Sequence, residues 1–259
     1  MQGSRWLVAA AACAVVAAPI AAQAQTGSTG STGTTGASGS TGTVGTVTAA
    51  FQPNKKGKGT KANVTVTSSN PNNAGSVPPP SSTTTVFLPK GSVIFTKGFK
   101  TCSMNTLNSS GPSGCPAGSQ VGSGSSTIGA VIGGQGLTEN AVVTAFNGPP
   151  VGGKPALELY ASGTTPIPAQ LTIQGVVSRT PAPYAYKIVF TVPPIATVPG
   201  GPNASIERFQ AAVGGTAKFH GKKVNYITEP SVCKKSFPWK AIFNYTDGEV
   251  VTATTTSPC

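Results

Sequence analysis

The sequence predicts an all-β protein, an antiparallel β-sandwich of immunoglobulin-like or jelly-roll-like type behind a disordered N-terminal segment, and three observations carry that reading. Apolar residues recur with a period of two through most of the chain, as at Val64 and Val66 in NVTVTS, the spacing of a strand with one buried face. The 33 glycines and 23 prolines form about a fifth of the 259 residues, against a usual share of about 12%, and cluster between the alternating segments, where they break helices and make turns. Finally, Asp247-Gly248 stands between FPWKAIFNYT and EVVTATTT, the strongest short-range hairpin signal.

In chain order, Arg5 precedes an apolar run from Trp6 to Ala22 that ends in Ala22-Gln23-Ala24. A basic start, an apolar core and a small-residue cleavage site make residues 1–24 a secretory signal peptide, so the mature chain is expected to be secreted or cell-surface associated. The run is short of a bilayer span, and no transmembrane span is expected after cleavage near Ala24. Residues 25–46, almost wholly Gly, Ser and Thr, can bury nothing and read as a flexible linker. The folded part is then 47–259, one all-β domain or two packed sub-domains. Alternation places strands at 43–51, 63–68, 83–88, 92–96, 126–133, 141–146, 156–162, 169–175, 184–192, 208–214, 216–227, 237–246 and 249–256. Asn72 to Ser82 reads as a long loop, and no stretch has the periodicity of a helix.

Four cysteines remain after cleavage, Cys102, Cys115, Cys233 and Cys259, an even count in a chain bound for an oxidising compartment, so two disulfides are expected. A two-residue type I′ turn at Asp247-Gly248 sets Tyr245 opposite Val250, Phe243 opposite Thr252 and Ala241 opposite Thr254. Trp239, Ala241, Phe243 and Tyr245 then share one core-facing side, and Cys259 falls opposite Ser236, three residues from Cys233. That geometry favours Cys233 with Cys259 and leaves Cys102 with Cys115. The first bridge closes a loop of about 26 residues, for which chain entropy gives roughly 3 kcal/mol. The second staples TLNSSGPSG, which has too little apolar surface to hold itself.

The candidate chemistry is sparse. With 18 Lys and Arg, 6 Asp and Glu and one His, the net charge is +12, or +11 once Arg5 is removed. Gly148 to Lys154 fits the start of a phosphate-binding loop, but Pro155 stands where Ser or Thr should hold Mg²⁺, so the segment reads as a connection between strands. His220 is the sole histidine, in a basic turn, and no G-x-S-x-G elbow accompanies it. A hydrolase would need two of Glu139, Glu158, Glu207 and Glu229 to face each other, or His220 to meet a serine; Asp247 and Glu249 are accounted for by the turn. No catalytic, cofactor-binding or metal-ligating residue is assigned and no cofactor is expected. Lysines without interleaved Arg or aromatic residues argue against nucleic acid and for anionic cell-envelope polymers or phospholipid head groups, with Lys222, Lys223, Lys234 and Lys235 as the candidate basic surface. A membrane-spanning β-barrel is disfavoured by the prolines in the strand region and the shortage of aromatic girdles.

Cys115-Pro116-Ala117-Gly118-Ser119-Gln120-Val121-Gly122, the Phe146-Asn147-Gly148-Pro149-Pro150 turn, and the ending Cys233, Pro238-Trp239-Lys240-Ala241, Tyr245-Thr246-Asp247-Gly248, Cys259 resemble a group of secreted bacterial all-β proteins over about residues 83 to 259. The shared motifs are turn, core and cysteine positions, so the resemblance implies a fold and carries over no functional residue. The expectation is an exported, non-enzymatic binding or structural module at or near the cell surface. Its alternatives are a secreted hydrolase of polysaccharide or ester substrates, and an adhesion module built on the stapled 102–115 loop.

Overall fold

A computed structural model describes residues 35–163, 169–197 and 200–259; the expected signal peptide and the first part of the linker lie outside the described residues. The strands are β1 (Ala37–Ser38), β2 (Val44–Gln52), β3 (Gly59–Ser69), β4 (Ser81–Pro89), β5 (Val93–Ile94), β6 (Gln120–Ile132), β7 (Gln135–Val151), β8 (Lys154–Gly163) and β9 (Ala169–Arg179). They continue with β10 (Tyr184–Thr191), β11 (Ile195–Ala196), β12 (Asn203–Gly214), β13 (Thr216–Phe219), β14 (Lys222–Asn225), β15 (Ile227–Thr228), β16 (Ser236–Tyr245) and β17 (Val250–Pro258), and one α-helix, α1 (Met104–Ser110), falls between β5 and β6.

Every pairing is antiparallel, and hydrogen bonding runs unbroken through β1-β2-β3-β12-β6-β7-β8-β9-β10-β4-β16-β17. The two ends of this series meet. Thr35 bridges to Thr254 of β17, and the Phe243 ring of β16 lies against Gly45 of β2, where a Cβ would come within 2.8 Å of it. The expected all-β antiparallel class holds, but all the strands except the separate β13–β14 pair form one sheet rolled into a nearly closed barrel instead of two separately hydrogen-bonded layers. Alternation is identical for a sandwich strand and a barrel strand, so it does not report how the edges end. Along β2 and β3, Val47, Ala49, Phe51, Ala62 and Val66 are buried inside, while Thr48, Gln52, Lys61 and Asn63 take the alternate outward positions. An apolar interior and a polar exterior reverse the polarity of a membrane-spanning barrel.

The last hairpin keeps the predicted face and corrects the register. Trp239, Ala241, Phe243 and Tyr245 are all buried. However, Ala241 pairs with Ala253 and Phe243 with Val251, one residue away from the two-residue-turn register. The Tyr245 N–H donates to the Glu249 carbonyl, and of the turn residues Gly248 alone has positive φ, at 88°, which makes a three-residue turn with a glycine bulge. Burial decides this: the expected register would have turned Thr252 and Thr254 inward, whereas the observed one buries Val251 and Ala253 to 1% exposure each. A one-residue slip exchanges the whole face.

Three further expectations are revised. The 216–227 strand is a hairpin, β13 with β14, turning at His220-Gly221, where φ is 49° and 74°. The linker ends earlier than Thr46, because β1 pairs with β2 and fills the seam beside β17; Gly, Ser and Thr carry no apolar signal for such pairing. Inside the stapled loop, Ser103 caps α1 by accepting from the Thr106 N–H at 3.1 Å, which satisfies one of the orphan donors of the first turn. Leu107 of this helix is 0% exposed and packs on Phe146 and Tyr160 on the outer face of β7 and β8. Both disulfides join the predicted pairs, Cys102–Cys115 and Cys233–Cys259.

Trp239 is 0% exposed, donates from Nε1 to Ser257 Oγ at 3.0 Å, and meets Phe51 across the seam with ring centroids 4.9 Å apart. Trp239→Ala is therefore expected to cost about 3–5 kcal/mol in urea unfolding, whereas Lys240→Ala, on the outer face of the same strand, is expected to cost less than about 1 kcal/mol.

Candidate functional site

The barrel encloses a narrow apolar cavity of about 100 Å³. Ile94, Tyr226 and Ile227 wall it at the end where β2 turns into β3; Leu159, Ile173 and Ala211 form its middle; Ser81 and Val192 stand at the far end. Along β3 it reaches from Ala62 to Ser68, about 20 Å at ~3.3 Å per residue, so the space is a slot along the barrel axis. Alternation puts these side chains inward. The slot stays open because Ala62 and Ala211 stand among larger residues, and because an eleven-strand ring is wider than the roughly eight strands whose side chains fill a barrel.

Few polar atoms reach the slot, and the buried ones are satisfied. Ser68 Oγ lies 2.6 Å from the Tyr245 hydroxyl. Burial pushes the Tyr245 phenol up to about 12, against a smaller lowering by that hydrogen bond. Tyr226 donates to Asn147 Oδ1 at 3.4 Å, and burial also raises its phenol well above the ordinary range. Asn147 in turn donates to the Lys100 carbonyl at 3.2 Å, which ties the crossing segment after β5 to the end of the barrel. Such a slot can exclude water and make dispersion contacts, at about 0.8 kcal/mol for each CH₂ it buries. It presents no charged group to a guest.

The predicted carboxylates are spread over the molecule. Glu158 lies on the outer face of β8, opposite Phe146 and Gln174; it is 1% exposed and accepts from Gln174 Nε2 at 2.9 Å. Glu139 sits beyond the Ala141–Gly163 pair, about seven residues or ~23 Å along the sheet from Glu158. Its carboxylate occupies the inner side of Gly163, while that of Glu207 lies against Gly129 on the outer side. Glu229 is in the loop after β15, where Oε2 accepts from the Lys55 N–H at 2.7 Å. Desolvation raises the proton affinity of all four, offset at Glu158 by the Gln174 bond and at Glu229 by the Lys55 bond and the Lys56 charge. Glu249, in contrast, is held below the carboxylate range by bonds from the Thr41 hydroxyl and N–H, which pin β1's loop to the last hairpin. His220 is exposed at its turn, with its ring on Phe219. Among the described residues, no group of three or more His, Cys, Asp or Glu side chains converges.

The stapled loop spends its apolar residue on the fold, since Leu107 is buried. Lys222 and Lys223 on β14, and Lys234 and Lys235 before β16, are all exposed at the end of the barrel where Ile94 and Tyr226 wall the slot. The lysines are legible in the sequence and the slot is not, because a residue lining a cavity and a residue filling a core carry the same alternation; the small residues Ala62 and Ala211 are its trace. No protein-family model, curated protein or solved structure matches the chain.

Folding raises the pKa of Glu158, so its ionised form costs stability at high pH, and the cost is relieved as pH falls through the folded pKa towards the unfolded value near 4.5. Glu158→Gln is expected to keep the Gln174 bond, to be at least as stable as the parent at about pH 8, and to flatten the fall in urea midpoint between about pH 5 and 8. An unchanged slope would assign the dependence to the other buried glutamates.

Proposed function

We propose that the chain is a non-enzymatic binding module, secreted or held at the cell surface, whose ligand seat is the slot inside the barrel and whose ligand is a single alkyl or acyl chain. The observation that carries this reading is the shape and chemistry of the cavity: about 100 Å³ of space drawn out over about 20 Å, lined almost wholly by aliphatic and aromatic carbon. Apolar cavities of about 150 Å³ stay dry and admit a benzene-sized guest, so a thin chain that spreads the side walls slightly is the guest this space suits. Each CH₂ taken from water adds about 0.8 kcal/mol, which gives affinity to chain length and little selectivity among head groups.

The test is displacement of a fluorescent polyene fatty acid from the oxidised chain. Saturable binding is expected. Ala211→Phe, which fills the middle of the slot, is expected to weaken it at least about tenfold while the protein still unfolds cooperatively, and Leu159→Ala, which widens the slot, to retain binding and admit a bulkier chain. Absence of saturable binding, or equal binding by Ala211→Phe, would remove this function.

A further inference from the structure

Charge is segregated along the barrel axis. Every lysine lies in the half of the barrel where β2 turns into β3, β7 into β8 and β9 into β10: in the β2–β3, β7–β8 and β13–β14 turns, in the segments after β4 and before β16, or on the strand halves adjoining them. The carboxylates divide the other way. Asp247 and Glu249 form the β16–β17 turn at the opposite end, and Glu139 and Glu207 lie near it on β7 and β12. The two glutamates nearer the lysines, Glu158 and Glu229, are 1% exposed. The lysine end thus offers positive charge with no exposed carboxylate side chain among the described residues.

Two other observations fall on the same end. Val232, Val93 and Val151 are 76%, 45% and 37% exposed, set among the lysines, and Val232 is held next to Lys234 and Lys235 by the Cys233–Cys259 bridge. Beside Val93, a pocket of about 460 Å³ is lined by Lys90, Ser92, Arg179, Thr180 and Tyr184. Ser92 is 4% exposed, and its buried hydroxyl has no hydrogen-bond partner. Two cations and an unpaired hydroxyl suit a phosphate oxygen. Arg179 stacks on Tyr186, with the guanidinium 5.2 Å from the ring centroid, which orients its charge at the rim.

We infer that the lysine end docks on an anionic phospholipid bilayer, with a head-group phosphate in the Lys90–Ser92–Arg179 pocket and the three exposed valines in the head-group layer. Clustered lysines with exposed apolar residues are the composition of a bilayer-facing surface; a soluble polyanion would have no use for the valines, and nucleic acid would call for exposed aromatic residues and more arginine. The inference deepens the proposed function, since this end also carries Ile94, Tyr226 and Ile227, the wall of the slot nearest the bilayer. It stands on surface residues that do not line the slot, so vesicle binding and fatty-acid binding can fail separately.

The experiment is co-sedimentation of the oxidised chain from Gln25 onward, which contains the whole barrel, with vesicles of phosphatidylcholine alone or with about 30% phosphatidylglycerol, across about 50 to 500 mM salt. Binding is expected to phosphatidylglycerol vesicles only and to weaken with salt. Replacing Lys222, Lys223, Lys234 and Lys235 together by Ala is expected to lower it at least about tenfold; Val232→Asp should also weaken it, and Arg179→Gln with Ser92→Val should reduce the preference for the anionic lipid. All these positions except Ser92 are exposed, so urea unfolding should leave the lysine and Val232 variants at parental stability. Equal binding to both vesicle types, an undiminished lysine variant, or tighter binding to soluble polyphosphate than to vesicles at equal phosphate would overturn the inference, the last in favour of a polymer.

Discussion

The closing of the sheet on itself is the constraint on which the rest of this molecule depends. An open edge of the length of β2 or β17 would expose a row of unpaired N–H and C=O groups, a template for pairing with other chains. Here the edges face each other, and the seam is filled from three sources. The chain before β2 supplies the Thr35 bridge and β1. Thr41 ties that segment to Glu249, and aromatic packing of Phe51 on Phe237 and Trp239 joins the first long strand to the last hairpin. Gly45 matters at this place, since any larger side chain would meet the Phe243 ring.

Closure also creates the interior. The ring has more strands than side chains of ordinary size can fill, and the surplus is taken up unequally. Towards the lysine end Trp239, Phe51 and Phe237 fill the section; along β3, β8, β9 and β12, aliphatic residues and alanines leave the slot. Where β6 meets β12 the backbones approach closely, and there Gly124 is required because a Cβ would lie 1.8 Å from the Gln210 carbonyl oxygen. The wall of the slot carries no charged side chain, so water inside it would find few polar partners.

The outer layer does a different task. The β7–β9 face would be half apolar to solvent at Phe146 and Tyr160, and the stapled loop with α1 covers it. The buried Glu158 and its Gln174 partner lie on that face, a carboxylate whose desolvation is only partly compensated. The second disulfide ties the carboxyl-terminal strand to the segment before β16, at the same end as the lysines. Both staples are therefore on the half of the barrel that carries the exposed charge, and the second holds the segment of Lys234 and Lys235 against the last strand.

The amino-acid sequence by itself determined the class of structure and most strand positions, because period-two burial and Gly/Pro turn chemistry are local. It determined the inward face of Trp239, Ala241, Phe243 and Tyr245 and the Cys233–Cys259 pairing, because a hairpin makes those residues neighbours, and Cys102–Cys115 followed as the pair that remained. Hairpin register was beyond it: Asp247-Gly248 serves two turn types, and the choice fell to whether Val251 or Thr252 went inward against strands distant in sequence. The short helix at Met104 was beyond it too, since Leu107 gains its stability from Phe146 and Tyr160 and not from its own periodicity. Only the tertiary structure decided that the sheet rolls up, that the ring is wide enough to keep a slot, and that lysines scattered along the chain gather at one end. Antiparallel connection carries alternate turns to opposite ends of a barrel, and which end a loop reaches depends on how many strands precede it, a quantity that no local pattern encodes.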